Sequence, residues 1–331
     1  MRVAVLGATG AVGREVIKVL AERDFPLDEL VLLASARSVG TRLPFKGTEV
    51  EVRLSDKNAF SGCDIVLGAV EADISRELAP HIVAAGAVFI DNSSAFRLEP
   101  EVPLVVPEVN AEDARRHKGI IANPNCSTII AAVAVNPIHQ LSPLTRMVAS
   151  TYQAVSGAGA GGIVELEAQM KALYEDAPVE KSIFPYQIAH NLIPQIGGFD
   201  EGGHTSEEMK LQNECRKILH APSLPTACTC VRVPVMRSHS LSIYIETERP
   251  VSVEAAQAAI AAAPGCLLVD DPAAKRYPMP LDTSDQDLVF VGRIRADLSS
   301  GVGGLALWCC GDQIRKGAAT NAVQIAESLL R

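Results

Sequence analysis

The chain has 331 residues, 48% of them hydrophobic, and a net charge of −9. That length suffices for two buried cores, and an acidic chain without a basic block excludes nucleic acid as a partner. No apolar stretch approaches the roughly 18 residues of a membrane span, and the opening Met1-Arg2-Val3-Ala4-Val5-Leu6 reads as a strand rather than a signal peptide, so we expect no membrane partner and a cytoplasmic location.

Residues 3–6 form a short apolar strand, followed by Gly7-Ala8-Thr9-Gly10-Ala11-Val12-Gly13 and then an amphipathic helical stretch to Leu20. Strand, glycine-rich turn and helix in that order make a variant dinucleotide fingerprint, G-x-x-G-x-x-G, in which backbone can approach a pyrophosphate at a helix N-terminus. After the next strand, 30–34, an NAD-binding chain usually places Asp or Glu for the ribose 2′-hydroxyl; here Ser35-Ala36-Arg37-Ser38 follows. A guanidinium and two hydroxyls suit a 2′-phosphate, so the expected cofactor is NADP, with Ser35, Arg37 and Ser38 as its readers. Strands at 64–67, 87–90 and 104–106 around a helix near 74–85 continue the βαβ rhythm of a parallel sheet.

Pro124-Asn125-Cys126-Ser127-Thr128 then opens the apolar run 129–135, which reads as a helix. A thiol at a helix N-terminus has its thiolate stabilised and can serve as a nucleophile near neutral pH. Together with a dinucleotide fingerprint, Cys126 points to hydride transfer through a covalent thioester. The other cysteines, at 63, 215, 228, 230, 266, 309 and 310, include no C-x-x-C pair, so neither a zinc site nor a disulfide framework is expected, and no metal. Strand patterns at 147–155, 227–235, 241–246, 288–296 and 305–309, interspersed with helices, predict an α+β domain on a largely antiparallel sheet. A last helix is expected over 313–330.

Gly7 to Gly13, Asn92-Ser93-Ser94-Ala95-Phe96-Arg97, Pro124 to Thr128, Tyr152 to Gly159, Glu207-Glu208-Met209-Lys210, Arg232 to Ser240 and Lys316-Gly317-Ala318-Ala319 together, in this order, resemble aspartate-β-semialdehyde dehydrogenase over essentially the whole chain. The resemblance implies an N-terminal Rossmann-type NADP-binding domain, residues 1–125 completed by a C-terminal helix 311–331. It also implies a catalytic and dimerisation domain, 126–310, with an α+β fold on a largely antiparallel mixed sheet. It makes Cys126 the acyl-thioester nucleophile, Gln153 its orienting partner and His239 the acid–base residue. Arg232 becomes the grip on the substrate α-carboxylate, Glu207 the partner of its amino group, and Arg97, Asn125 and Lys210 the phosphate site. Gly7, Thr9, Gly10, Ala11, Val12 and Gly13 would take the pyrophosphate turn, Arg37 and Ser38 the 2′-phosphate, and Ser156 and Gly157 the nicotinamide side. Gln313 departs from the asparagine usual in the family before Lys-Gly-Ala-Ala, keeping the amide on a longer arm.

The implied reaction is reduction of L-aspartyl-4-phosphate to aspartate 4-semialdehyde in lysine, threonine and methionine biosynthesis, by a homodimer paired through the second domain's sheet. N-acetyl-γ-glutamyl-phosphate reductase would share the chemistry, but its acylated amine has no need of Glu207. A phosphorylating glyceraldehyde-3-phosphate dehydrogenase shares the thioester, yet its usual cysteine surroundings and acidic residue for NAD are not seen. A silent NADP-binding regulator would not need Cys126, Gln153 and His239 together. Thr205-Ser206-Glu207-Glu208 also fits a capping box, which makes Glu208 a helix cap rather than a ligand.

Overall fold

In the first strand, β1 (Arg2–Leu6), Val3 and Val5 join the core on one side of the sheet and Ala4 and Leu6 the core on the other, and all four are fully buried. A strand covered on both faces must be apolar throughout, as in parallel sheets flanked by helices. The computed structural model describes residues 1–330, and it sets β1 inside a seven-stranded sheet. In chain order the first unit adds α1 (Ala11–Glu22), β2 (Glu29–Ala34), β3 (Arg42–Phe45), β4 (Thr48–Leu54), β5 (Ile65–Gly68), α2 (Ala72–Ala84), β6 (Val88–Asp91), α3 (Pro107–Asn110) and β7 (Ile120–Ala122). The strand order is β3-β4-β2-β1-β5-β6-β7, parallel at every pair except β3 with β4. The chain leaves β1 toward β2 on one side and returns with β5 on the other, so the residues after Leu6 lie at the switch point where open α/β sheets take ligands.

Two local expectations change. The strand expected at 104–106 is reduced to a single parallel bridge, Leu104 with Ala122, because Pro103 and Pro107 bracket it; β7 is the edge strand instead. The β3–β4 hairpin, unanticipated, turns on Lys46 and Gly47, both at positive φ (44° and 81°), as a two-residue hairpin turn of the primed type requires.

The second unit, Cys126–Lys316, contains α4 (Cys126–Leu141), β8 (Leu144–Gln153), α5 (Ala160–Tyr174), α6 (Ser206–Ile218), β9 (Thr226–Arg232), β10 (His239–Thr247), α7 (Val253–Ala262), β11 (Cys266–Leu268), α8 (Pro280–Thr283), β12 (Val289–Ala296) and β13 (Leu305–Gly311). Its six strands run β11-β12-β13-β10-β8-β9, with β8–β9 and β11–β12 parallel and the rest antiparallel. α4 packs on β8, β10, β12 and β13 and against α6 and α7. Residues 127 to 135 of α4 are all buried, which explains an apolar run with no polar face.

The closing helix is shorter than the 311–331 expected. Gly311 still belongs to β13, and the Asp312 carboxylate accepts from the Ile314 and Arg315 N–H groups at 2.9 and 3.0 Å. A wide π turn follows at Arg315–Ala319 before regular helix at Thr320–Ser328, and Arg331 lies outside the described residues. That helix belongs to the first unit, which is Met1–Asn125 with the segment from Gly317. There Ala322, Val323, Ile325 and Ala326 enter the core, and Glu327 takes a bidentate pair from Arg23 at 2.8 and 2.7 Å. No helix among the described residues is long and apolar enough to cross a membrane.

Candidate active site

Three adjacent strands of the second unit end together. Gln153 closes β8, its register partner Arg232 closes β9, and the antiparallel β10 begins at His239. Alternation alone could not have brought Arg232 and His239 together; the reversal at Val233 to Ser238 does so. The bend is strained where it enters β10: Ser238, immediately before His239, sits at φ 73°, and its N–H donates to Gln313 Oε1 at 2.8 Å. The Gln313 amide nitrogen donates to Ser156 Oγ, so both ends of this side chain are engaged within the unit.

His239 is fully buried. Its Nδ1 accepts the Ala154 N–H at 3.1 Å, which puts the proton of the neutral ring on Nε2. Nε2 has no hydrogen-bond partner among the described residues. Burial, then the nearby Arg232 charge, depress the pKa to about 3, with Glu207 opposing them. The ring is therefore a neutral donor whose Nε2–H has no partner among the described residues. Glycine at 157 keeps a side chain away from it: a Cβ there would come within 2.7 Å of an Arg232 terminal nitrogen and 3.2 Å of His239 Nε2.

Arg232, 7% exposed, donates from Nη1 to the Ala154 carbonyl at 2.7 Å. Burial lowers its pKa; the Cys126 sulfur and the Glu207 carboxylate counter this, so the thiol is an electrostatic neighbour of the guanidinium. Cys126 is the first residue of α4 and half-buried, whereas Cys63, Cys215, Cys230, Cys266, Cys309 and Cys310 are buried. Burial raises the thiol pKa of Cys63, Cys215 and Cys309, and that of Cys310 to about 11. Gln153 Nε2 donates to Glu207 Oε1 at 3.1 Å, and its Oε1 accepts from Thr151 Oγ1 at 3.2 Å. Lys210 Nζ meets the other Glu207 oxygen at 3.1 Å. The capping box is present: Thr205 N–H donates to Glu208 Oε2 at 2.7 Å and Glu208 N–H to Thr205 Oγ1 at 3.4 Å. Two consecutive residues of α6 thus take different places: Glu208 caps the helix, while Glu207 is buried and faces Gln153.

In the first unit the glycine turn follows β1. Gly7, at φ 85°, and Gly13 have no room for a Cβ, which would overlap the Ala69 and Gly7 carbonyls respectively; at Gly10 a Cβ would meet only the Gly7 oxygen, at 3.4 Å. Protein sterics thus require glycine at 7 and 13, while Gly10 leaves open surface at the N-terminus of α1, flanked by Thr9, Ala11 and Val12. Thr9 and Ser38 share a hydroxyl hydrogen bond of 3.3 Å, which ties this turn to the one after β2. Ser35 precedes that second turn and Arg37 stands exposed on it, with no carboxylate at the end of β2. Arg97 is buried and donates to the backbone carbonyls of Asn123 and Asn92 at 3.0 and 2.7 Å. A relay of asparagine amides, Asn321 to Asn123 to Asn92 to the Gly68 carbonyl, fixes the same loop, and Asn125 is buried two residues on. No group of three or more metal-ligating side chains occurs among the described residues.

Sequence reasoning missed Ala154, Phe184 and Ser238. Ala154 serves Arg232 and His239 through its backbone alone, which leaves no trace in residue type. The Phe184 ring lies 5.9 Å from the Arg232 guanidinium.

A nucleotide-type unit with helices on both faces of its sheet, followed by this sheet-end cluster, places the chain among the semialdehyde dehydrogenases. The family model described as semialdehyde dehydrogenase, NAD binding domain, matches residues 2–117, and that described as semialdehyde dehydrogenase, dimerisation domain, matches 135–316. Aspartate-semialdehyde dehydrogenase of Synechocystis sp. is 52% identical over 330 residues, covering 100% of this chain and 97% of that one; that of Aquifex aeolicus is 52% identical over 334 residues, covering 100% and 98%. The chain belongs to the aspartate-semialdehyde dehydrogenase family. Aspartate semialdehyde dehydrogenase II of Vibrio cholerae, solved also in complex with ASA, superposes with a TM-score of 0.96 at 44% identity, covering 100% of this chain and 98% of that one. The Candida albicans enzyme, solved with NADP, gives 0.76 at 26% identity, covering 99% and 98%.

Proposed function

We propose that the chain catalyses the reversible, NADP-dependent conversion of L-aspartyl-4-phosphate to L-aspartate 4-semialdehyde and phosphate, through a thioester on Cys126. The observation that carries this reading is the meeting of Gln153, Arg232 and a neutral His239 at one sheet end, with the Cys126 thiol within electrostatic reach of the buried guanidinium. In the reductive direction the Cys126 sulfur attacks the acyl carbon and phosphate leaves. The tetrahedral oxyanions before and after reduction accept a hydrogen bond from His239 Nε2, and collapse of the second returns the Cys126 thiolate and the aldehyde. Gln153 orients the reacting group from its anchor on Glu207. Arg232 presents a planar fork to the α-carboxylate. Glu207, buried and paired with Lys210, suits the substrate ammonium, and Arg97, Asn125 and Lys210 are the groups assigned to phosphate.

NADP, when bound, supplies or takes up the hydride. Gly7, Thr9, Gly10, Ala11, Val12 and Gly13 would hold its pyrophosphate, since Gly10 offers backbone without a steric demand of the protein's own. Ser35, Arg37 and Ser38 would hold the 2′-phosphate, and Ser156 and Gly157 the nicotinamide side. Gln313, engaged at both ends, would act there by fixing the Ser156 turn. These assignments make the first unit the NADP-binding half and the second the catalytic and dimerising half of a homodimer. Cysteines kept as thiols suit a cytoplasmic compartment.

The test is NADP reduction by aspartate semialdehyde with and without phosphate, for wild type and Cys126→Ser. We expect phosphate-dependent turnover that falls at least ~10³-fold in the serine variant while NADP still binds. A serine variant keeping a tenth of wild-type turnover would remove the thioester from the mechanism.

A further inference from the structure

Residues 175–205 join α5 to α6 without a helix or strand, yet part of this strap is tightly held. The holding groups are unexpected. α5 turns Gly162, Glu165, Leu166 and Gln169 inward, so a carboxylate and an amide occupy positions on a buried stripe where apolar residues are the rule. Glu165 accepts the N–H and hydroxyl of Ser182 at 3.0 and 2.9 Å, the Ile183 N–H, and the Phe184 N–H at 3.4 Å. Gln169 accepts the Ile188 and Ala189 N–H groups at 2.8 and 3.1 Å and donates to Glu165 at 3.0 Å and to the Glu180 carbonyl at 3.0 Å. Two side chains thus replace the ladder that a strand would have provided for five backbone donors. Burial pushes the Glu165 carboxyl up, but the strap's donors outweigh it and leave the group below its ordinary value, anionic.

What this strap carries is Phe184. Its ring is buried, packs with Val155, Leu166, Ile188 and Ile193, and lies 5.9 Å from the Arg232 guanidinium. Nine residues on, Ile193 exchanges both backbone hydrogen bonds with Arg232, at 3.0 and 2.8 Å. The strap therefore grips Arg232 at its main chain and at its cationic head. One terminal nitrogen of that head is spent on the Ala154 carbonyl. An aromatic face against a guanidinium both attracts it and limits its tilt.

We propose that Glu165 and Gln169 are positioning residues for Arg232: by fixing 182–189 they hold the Phe184 ring against the guanidinium and so set the plane it offers to the substrate α-carboxylate. The inference rests on the assignment of Arg232 to that carboxylate. Neither residue touches substrate. A bidentate pair needs both donors in the carboxylate plane, so a head free to tilt keeps its charge and loses its fit.

The experiment compares Glu165→Gln, Phe184→Leu and Arg232→Lys in steady-state kinetics with aspartate semialdehyde, phosphate and NADP, and with 3-aminopropanal, the analogue lacking the carboxylate. For Glu165→Gln and Phe184→Leu we expect KM for aspartate semialdehyde to rise about tenfold, with KM for phosphate and NADP within about twofold of wild type, and no added penalty on 3-aminopropanal. Combining Glu165→Gln with Arg232→Lys should add little beyond the lysine variant alone. If Arg232→Lys shows the carboxylate-dependent loss and the other two do not, the positioning proposal falls and the assignment of Arg232 stands. If Arg232→Lys shows no such loss, the assignment falls first. Equal losses on all substrates, including 3-aminopropanal, would make Glu165 a purely structural anchor and overturn the proposal.

Discussion

His239 is held in one protonation state by its surroundings, and that has a cost measurable far from catalysis. In the unfolded chain its imidazole titrates near the ordinary value of 6.5; in the folded one, burial and Arg232 bring it to about 3. Above pH 6.5 both states are neutral and the stability is undiminished. Below it the unfolded chain takes up a proton that the folded chain refuses, so stability falls as pH drops from 6.5 toward 3, by about 2 kcal/mol at pH 5. Urea unfolding of His239→Gln should show a flatter acid limb than wild type, whereas parallel curves would mean the folded ring is protonated at pH 5. Gly157 poses a different residue-scale question. Its backbone tolerates a side chain, but a methyl there meets the far ends of Arg232 and His239. Gly157→Ala should therefore cost within about 1 kcal/mol in stability yet lower kcat/KM tens-fold, because the two groups must shift. Thermal unfolding and kinetics on the same preparation separate the two effects.

At the scale of elements, two turns that follow strands carry assigned cofactor-side residues. The turn after β2 presents Arg37 where NAD-binding chains place a carboxylate. Arg37→Asp should raise KM for NADP sharply and improve the ratio of NAD to NADP use; an unchanged preference would leave Ser35 or Ser38 as the reader. The turn after β13 acts through Gln313, whose reach spans Ser238 and Ser156. An asparagine, one methylene shorter, cannot serve both. Gln313→Asn should leave one buried polar group unsatisfied, at roughly 1–3 kcal/mol by urea midpoint, and lower kcat about tenfold through the freed Ser238 bend. These turns were legible in sequence because glycines, Arg37 and Cys126 announce themselves by residue type next to an apolar run. The β3–β4 hairpin was not, because Lys46 adopts a conformation that its side chain does not advertise. The strap at 175–205 was illegible for a related reason: nothing in the residue types of Glu165 and Gln169 tells that the fold turns them inward.

For the whole molecule, two cores follow from two hydrophobic periods, the doubly buried strands of the first unit and the one-sided strands of the second. That one-sidedness leaves a surface to explain. In β10, Leu241, Ile243 and Ile245 are buried, while Ser242 and Tyr244 alternate with them on the other face. Tyr152 of β8 and Trp308 of β13 share that other face, with ring centroids 5.4 Å apart, and Tyr152 and Tyr244 are 37% and 38% exposed. Aromatic residues on a sheet face not covered by α4 have the composition of the core of a subunit interface, where Tyr and Trp are enriched and charge is depleted. A stable homodimer needs about 800 Å² per subunit, which a six-stranded sheet face can supply. We expect wild type to run as two chains in light scattering, and Tyr152→Glu with Tyr244→Glu to run as one at micromolar concentration, because two carboxylates would be desolvated in each half of the interface. Activity should fall with the dimer. Tyr152 and the buried Gln153 are consecutive residues of β8 on opposite faces, so loosening the outer face frees the strand end that aligns Gln153 with Arg232. A double variant that stays dimeric would move the interface elsewhere; one that becomes monomeric with full activity would separate pairing from the alignment of the site.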